Sequence, residues 1–181
     1  MAATTFDLAR RRPLATAAIA IAVIGLATIA GFLFFQFVLG YPPCPLCYEQ
    51  RYAYYIAVPL AAMILLGLSV GSSRKVAMLA MLAIAAAMLW NAGLGVYHSG
   101  IEWHWWPGPQ ECSGAIPDLG GGSLLDQLQK TRVIRCDEAP WRFLGLSLAG
   151  YNVLISLALA AIALWGGVAA WQSRMADETG R

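Results

Sequence analysis

Four stretches of this chain carry no Asp, Glu, Lys or Arg: residues 13–48, 52–73, 76–101 and 143–173. A helix needs about 20 apolar residues to cross the hydrocarbon core of a bilayer, and every window reaches that length. Within lipid the backbone N–H and C=O groups must pair inside the segment, so each window is expected to be an α-helix. A membrane barrel would alternate apolar and polar residues, and a run such as AMLAMLAIAAAMLW does not alternate. Composition leaves little else: 59% of the 181 residues are hydrophobic and 12% are charged, whereas soluble domains carry about 25% charge. So few charges cannot cover a water-exposed surface of this size. The 18 Gly and 9 Pro follow no period, which excludes a collagen-like chain. A formal net charge of +2 gives no basis for a nucleic-acid partner. The expected fold is an all-α membrane protein, one four-transmembrane-helix bundle over residues 1–181 in a lipid bilayer. Its spans lie near 14–39, 52–71, 76–97 and 143–170, with loops at 40–51 and 98–142.

Arg10, Arg11 and Arg12 precede the first span as the basic region of a signal peptide would. The apolar run that follows far exceeds the about 7–15 residues of a cleaved leader, so it is read as a retained span. Lys and Arg in short connections set the orientation. Arg10–Arg12, the Arg74-Lys75 link and the tail with Arg174 and Arg181 fall on one side, taken as cytoplasmic together with both termini. The long loop on the other side carries Lys130, Arg132, Arg135 and Arg142, which narrows the contrast. The expected location is a bacterial inner membrane, crossed several times, with loops 40–51 and 98–142 periplasmic.

All four cysteines lie in those outer loops: Cys44 and Cys47 in the short one, Cys112 and Cys136 in the long one. An oxidising compartment lets disulfides form and persist there. Cys44-Pro45-Leu46-Cys47 closes a very small ring just before the second span. A Cys47 thiolate near a helix N-terminus gains from the partial positive charge there. Arg51, four residues on, adds a permanent cation one turn away. The bland alternative is a structural disulfide or half of a zinc site. Cys112 and Cys136 bracket a Gly120-Gly121-Gly122 turn and a short amphipathic helix beginning at Ser123, with Asp126 at capping-box spacing. Leu124, Leu125 and Leu128 face one way and Asp126, Gln127, Lys130 and Arg132 the other, so this helix is expected to lie on the membrane surface. Alternatively that pair simply staples the loop, which in the chain-entropy model stabilises by roughly 3–4 kcal/mol. Four-cysteine zinc is disfavoured because only one C-x-x-C knuckle is present and His98 and His104 stand at unsuitable spacings; no metal site is expected.

His98 closes the third span at the membrane depth where the second begins, beside Cys47 and Arg51. A histidine there can donate a hydrogen bond or transfer a proton. The tryptophans of Trp103-His104-Trp105-Trp106 are read first as an interfacial belt. A dithiol becomes a disulfide only if two electrons leave, yet the chain has no haem, dinucleotide or iron–sulfur motif. The acceptor nearest to hand is a lipid-soluble quinone, its carbonyls polarised by Arg51 and His98. The loop pair would exchange disulfides with a soluble partner through a mixed disulfide.

Cys44-x-x-Cys47 followed by Glu49 and Arg51, then Tyr97-His98, then Cys136-Asp137-Glu138-Ala139-Pro140-Trp141-Arg142-Phe143-Leu144-Gly145-Leu146-Ser147, resembles the bacterial disulfide bond formation protein B family across nearly the whole chain. The resemblance implies a membrane thiol oxidase. It would reoxidise a periplasmic DsbA-type dithiol oxidase of thioredoxin fold and pass two electrons to the membrane quinone pool, ubiquinone or menaquinone. By the same resemblance Cys112 receives the partner's attack, Cys136 is its pair, electrons move on to Cys44 and Cys47, and Cys47, Arg51 and His98 meet the quinone. Tyr48-Glu49-Gln50-Arg51 departs from the expected Tyr-Glu-Arg order, and the run after His98 is richer in Trp and Gly, marks of a divergent branch. A four-span thiol–quinone protein of the vitamin K epoxide reductase type would place its C-x-x-C after the loop cysteines, whereas here it comes first. Two other classes remain for test: a scaffold with two structural disulfides and a metal-binding membrane protein.

Overall fold

The computed structural model describes residues 13–109 and 135–179. Four long helices make up the fold of the described residues: α1 Pro13–Phe37, α2 Pro45–Ser69, α3 Arg74–Glu102 and α4 Leu148–Thr179. All four are long and apolar enough to cross a membrane. Together they form an all-α membrane bundle. Each helix packs on two neighbours, in a ring α1–α2–α3–α4–α1, and the α3–α4 face is the most extensive. The connections α1–α2 and α2–α3 are short, which makes those neighbours antiparallel.

The core is built from small and flexible side chains: Ala17, Ala18, Ala57, Ala61, Ala85 and Ala163 with Ile21, Met81, Ile84, Met88 and Leu159 between them. Without a hydrophobic drive between helices in lipid, close approach through small residues supplies the packing. Gly95 shows how close: a methyl group there would lie 2.7 Å from Val153 Cγ2 on α4 and 3.3 Å from the Ala149 carbonyl. Large apolar side chains point outward along every helix, among them Val23, Leu79, Trp90, Leu157 and Trp165. An outer surface of that kind is a lipid-facing one.

Several helix boundaries differ from the expected spans, including the end of α4 at Thr179 rather than near 170. α2 begins at Pro45 rather than near 52, because Cys44 caps it and proline suits its first position; Glu49 and Arg51 are inside the helix, not before it. α3 runs on to Glu102 instead of stopping near 97. Its end is held by Arg142, whose Nη2 donates to the Glu102 carbonyl at 3.2 Å and whose guanidinium lies 5.2 Å from the Trp103 ring centre. α4 begins at Leu148, after a hairpin that the apolar pattern concealed: β1 Arg142–Phe143 pairs antiparallel with β2 Leu146–Ser147. The two-residue turn Leu144-Gly145 has φ of +49° and +82°, the type I′ geometry that suits twisted strands. Ser147 then caps α4, its Oγ accepting from Gly150 N–H at 3.2 Å.

Candidate functional site

The site is assembled at the N-terminus of α2. Cys44 is the N-cap residue, in extended conformation (φ −75°, ψ 167°), and its sulfur accepts the Cys47 backbone N–H at 3.2 Å. The two sulfurs lie 2.6 Å apart, and both cysteines are free thiols. The hydrogen bond to Cys47, then burial, pushes the Cys44 thiol well above the usual thiol range, so Cys44 is the member that keeps its proton. Cys44 is 4% exposed, whereas Cys47 is only partly covered.

The third chemical group comes from α3. His98, also buried, sets Nε2 3.7 Å from Cys44 Sγ. One turn further, Glu102 brings Oε1 to 3.9 Å from the same nitrogen. Glu102 also hydrogen-bonds to Ser147, while its Oε2 is buried with no hydrogen-bond partner among the described residues. Cys47 sits within electrostatic range of both Arg51 and Glu102.

Arg51 projects from α2 toward α1. Its Nη1 donates to Gln36 Oε1 at 2.7 Å, and its guanidinium lies 4.7 Å from the Phe32 ring centre and 5.0 Å from that of Tyr48. Hydrogen bonding and two aromatic faces hold this cation at 7% exposure, an environment suited to guanidinium and not to ammonium.

Cys136 arrives from the segment before β1. It is 1% exposed, disulfide-bonded, and packed in one apolar cluster with Cys44, Leu46, Ile101 and Cys47. Its backbone hydrogen-bonds to the His98 ring. Beside it, Arg135 grips Asp137 through two hydrogen bonds of 2.9 and 2.5 Å, which hold the Asp137 carboxyl below its usual range. Cys44, Cys47, Arg51, His98 and Cys136 therefore meet at one end of the bundle. Cys112 and the expected amphipathic helix lie outside the described residues.

Sequence reasoning missed a second layer. His98 Nδ1 is 2.8 Å from Gln50 Nε2; Gln50 Oε1 accepts from Asn152 Nδ2 at 2.6 Å; Asn152 Oδ1 accepts from Tyr54 OH at 2.6 Å and Asn91 Nδ2 at 3.2 Å. Ser156 closes the chain, accepting from Asn91 Nδ2 at 2.9 Å. A polar track thus runs from the thiols into the bundle, contributed by α2, α3 and α4. Its signal was present in the windows all along: Asn91, Asn152 and Ser156 are polar residues inside apolar spans, where an unpaired group is expensive. Counting charges alone passes over them. Trp103, Trp105 and Trp106 are all exposed, and Trp106 folds back on α3, donating Nε1–H to the Tyr97 carbonyl at 2.9 Å and stacking on the Tyr97 ring.

A four-helix membrane bundle that holds two thiols 2.6 Å apart at one end, one buried and one partly exposed, has the parts that thiol–disulfide exchange at a membrane requires. A family model described as "Disulfide bond formation protein DsbB" matches residues 12–166. Similar proteins include the disulfide bond formation protein B of Polaromonas sp., 28% identical over 169 residues and covering 89% of this chain and 92% of the relative. That of Aromatoleum aromaticum is 32% identical over 143 residues, covering 75% and 81%. That of Albidiferax ferrireducens is 31% identical over 160 residues, covering 78% and 83%. No solved structure matches the chain. The chain belongs to the DsbB family of disulfide bond formation membrane proteins, as its motifs led one to expect.

Proposed function

We propose that this protein is a quinone-dependent thiol oxidase of the bacterial inner membrane that reoxidises a periplasmic DsbA-type dithiol oxidase. The observation that carries the reading is the seating of Cys136 against the Cys44–Cys47 dithiol, beside His98. Disulfide exchange needs one sulfur to reach another, and this packing keeps the two cysteine sites in one apolar cluster. The partner's thiolate would attack Cys112, and the electrons would pass through the Cys112–Cys136 pair to Cys44 and Cys47. In the final step two thiols and one quinone give one disulfide and one quinol. Two electrons and two protons leave the cysteines and both appear on the quinone oxygens. Cys47, partly exposed at the helix end, would face the acceptor; Arg51 and His98 would bind it. A buried guanidinium held against the Phe32 and Tyr48 rings fits a flat apolar molecule with carbonyl oxygens. A DsbA-type oxidase has a potential near −120 mV, so its reoxidation needs a stronger oxidant, which a respiring quinone pool supplies.

The test is quinone reduction by purified protein in detergent with a reduced DsbA-type partner, using ubiquinone-1 and then a menaquinone analogue. Turnover lost in both Cys47→Ala and Cys112→Ala supports the relay and its two ends. Absence of turnover with every partner and quinone would overturn it. A second reading has one observation in its favour: ligand atoms of Cys44, Cys47 and His98 lie within 4.8 Å of one another, a donor set for a soft metal. Stoichiometric zinc or copper in the reduced protein as isolated would favour that reading.

A further inference from the structure

We infer that Gln50 and Asn152 are positioning residues that fix His98 as the tautomer carrying its proton on Nε2, aimed at Cys44. Tyr54 and Asn91 both donate to Asn152 Oδ1, which turns the Asn152 amide so that Nδ2 donates to Gln50 Oε1. That in turn leaves the Gln50 NH₂ facing His98 Nδ1 at 2.8 Å. An amide NH₂ has hydrogens and no lone pair to offer, so Nδ1 must accept, and the proton of a neutral ring resides on Nε2.

The other side of the ring accommodates the same tautomer. Nε2 faces the Cys44 sulfur at 3.7 Å and a Glu102 carboxyl oxygen at 3.9 Å, each able to accept its proton, and the Cys136 backbone also hydrogen-bonds to the ring. Reversing the track would require the Gln50, Asn152 and Asn91 amides to turn together, and would leave a bare Nε2 opposite both. In the orientation found, Cys44 Sγ receives two donors, the Cys47 backbone N–H and His98 Nε2–H, and lies 2.6 Å from the Cys47 sulfur. Negative charge that develops on the Cys44 sulfur during exchange is therefore met by hydrogen bonds already in place. The same tautomer puts a proton on Nε2, the nitrogen that faces Cys44, so a metal held there would have to displace it.

The consequence for turnover rests on the oxidase reading above, but the tautomer does not, and the two are measured separately. The chain has two histidines, His98 and His104, so ¹⁵N-histidine labelling of the reduced protein in detergent gives two rings, assigned with His104→Gln. Long-range ¹H–¹⁵N correlation distinguishes the protonated from the bare ring nitrogen. The expected result is Nε2–H for His98 in the wild-type protein. In Gln50→Glu, which replaces the donor by a carboxylate of the same size, a proton should appear on Nδ1; Asn152→Asp is the second variant. An Nδ1–H ring in the wild-type protein, which needs no variant to fold, overturns the inference. So does a folded Gln50→Glu protein, judged by its unfolding midpoint, whose His98 pattern is unchanged. With ubiquinone-1 as acceptor, Gln50→Glu should lower turnover by about tenfold or more, the usual scale for losing a group that orients an imidazole. If the wild-type protein fails to reduce quinone at all, the oxidase reading falls while the tautomer result stands on its own.

Discussion

The Cys47 backbone N–H donates to the Cys44 sulfur at 3.2 Å, so one C-x-x-C segment is both the thiol pair and the N-cap of α2. The first N–H groups of a helix have no intrahelical partner, and a capping acceptor is worth about 0.5–2 kcal/mol. Cys44→Ser keeps an acceptor at that position and Cys44→Ala does not. The expected outcome is a Cys44→Ser protein with near wild-type thermal stability and a Cys44→Ala protein less stable by about 1 kcal/mol, with both losing redox activity. Equal stability of the two, measured by unfolding in the same detergent, would show that the sulfur does not act as a cap.

The same contact makes the two thiols unequal. Cys44 is buried and its proton is held by the hydrogen bond to Cys47, so its folded titration point is raised. A raised thiol stays protonated, and therefore unreactive, through neutral and mildly alkaline pH, because the thiolate is the nucleophile. Limited iodoacetamide treatment of the reduced protein at pH near neutral should modify Cys47 at least about tenfold faster than Cys44. Raising the pH by one or two units should not bring Cys44 level. Peptide mapping that finds the two labelled equally would contradict this assignment.

Arg51 makes contacts that lysine cannot reproduce. Its planar group lies over Phe32 and Tyr48 while Nη1 donates to Gln36, and only a guanidinium stacks and forks at once. Under the oxidase reading, Arg51→Ala and Arg51→Lys should both raise the apparent quinone KM, by about tenfold for a lost charge-assisted hydrogen bond. Exchange with the reduced partner, followed as a single turnover without quinone, should continue. Equal loss of both half-reactions would assign Arg51 to the fold instead of to the acceptor.

The number of spans was legible because the requirement behind it is simple: a helix that meets lipid cannot carry charge along its length. The ends were harder, since charge is tolerated where a helix leaves the membrane. Glu102 ends α3 from a buried position because Ser147 and Arg142 serve its carboxyl and carbonyl groups. The hairpin before α4 was hidden since Phe143-Leu144-Gly145-Leu146 reads as apolar, and only the backbone shows positive φ at Leu144 and Gly145. Cys44, Cys47, Arg51, His98 and Cys136 were readable as reactive types near one membrane face. Their second layer was not, because Gln50 and Asn152 are 102 positions apart and meet only once α2 and α4 are packed. His98, expected at the quinone, has a thiol, a glutamine, a carboxyl and the Cys136 backbone around its ring.

Gly100 gives a test of how the end of α3 is finished. A methyl group there would sit 2.0 Å from Trp106 Cζ2, with two more ring atoms within 2.6 Å. The chain turns back at this point so that Trp106 lies across α3, bonded to the Tyr97 carbonyl and stacked with the Tyr97 ring. Overpacking of this kind costs typically about 1–3 kcal/mol, and the clash is with a wide ring and not with a flexible chain end. Gly100→Ala should therefore lower stability by that amount and displace Trp106. Trp106→Ala alone should lose the stacking and the hydrogen bond, yet in the Gly100→Ala/Trp106→Ala pair the second alanine should add little, because the ring it would strike is gone. Unfolding midpoints for the four proteins give the coupling directly. Strict additivity would mean that Trp106 does not rest on Gly100, and that the tryptophan-rich turn is held by the membrane interface alone.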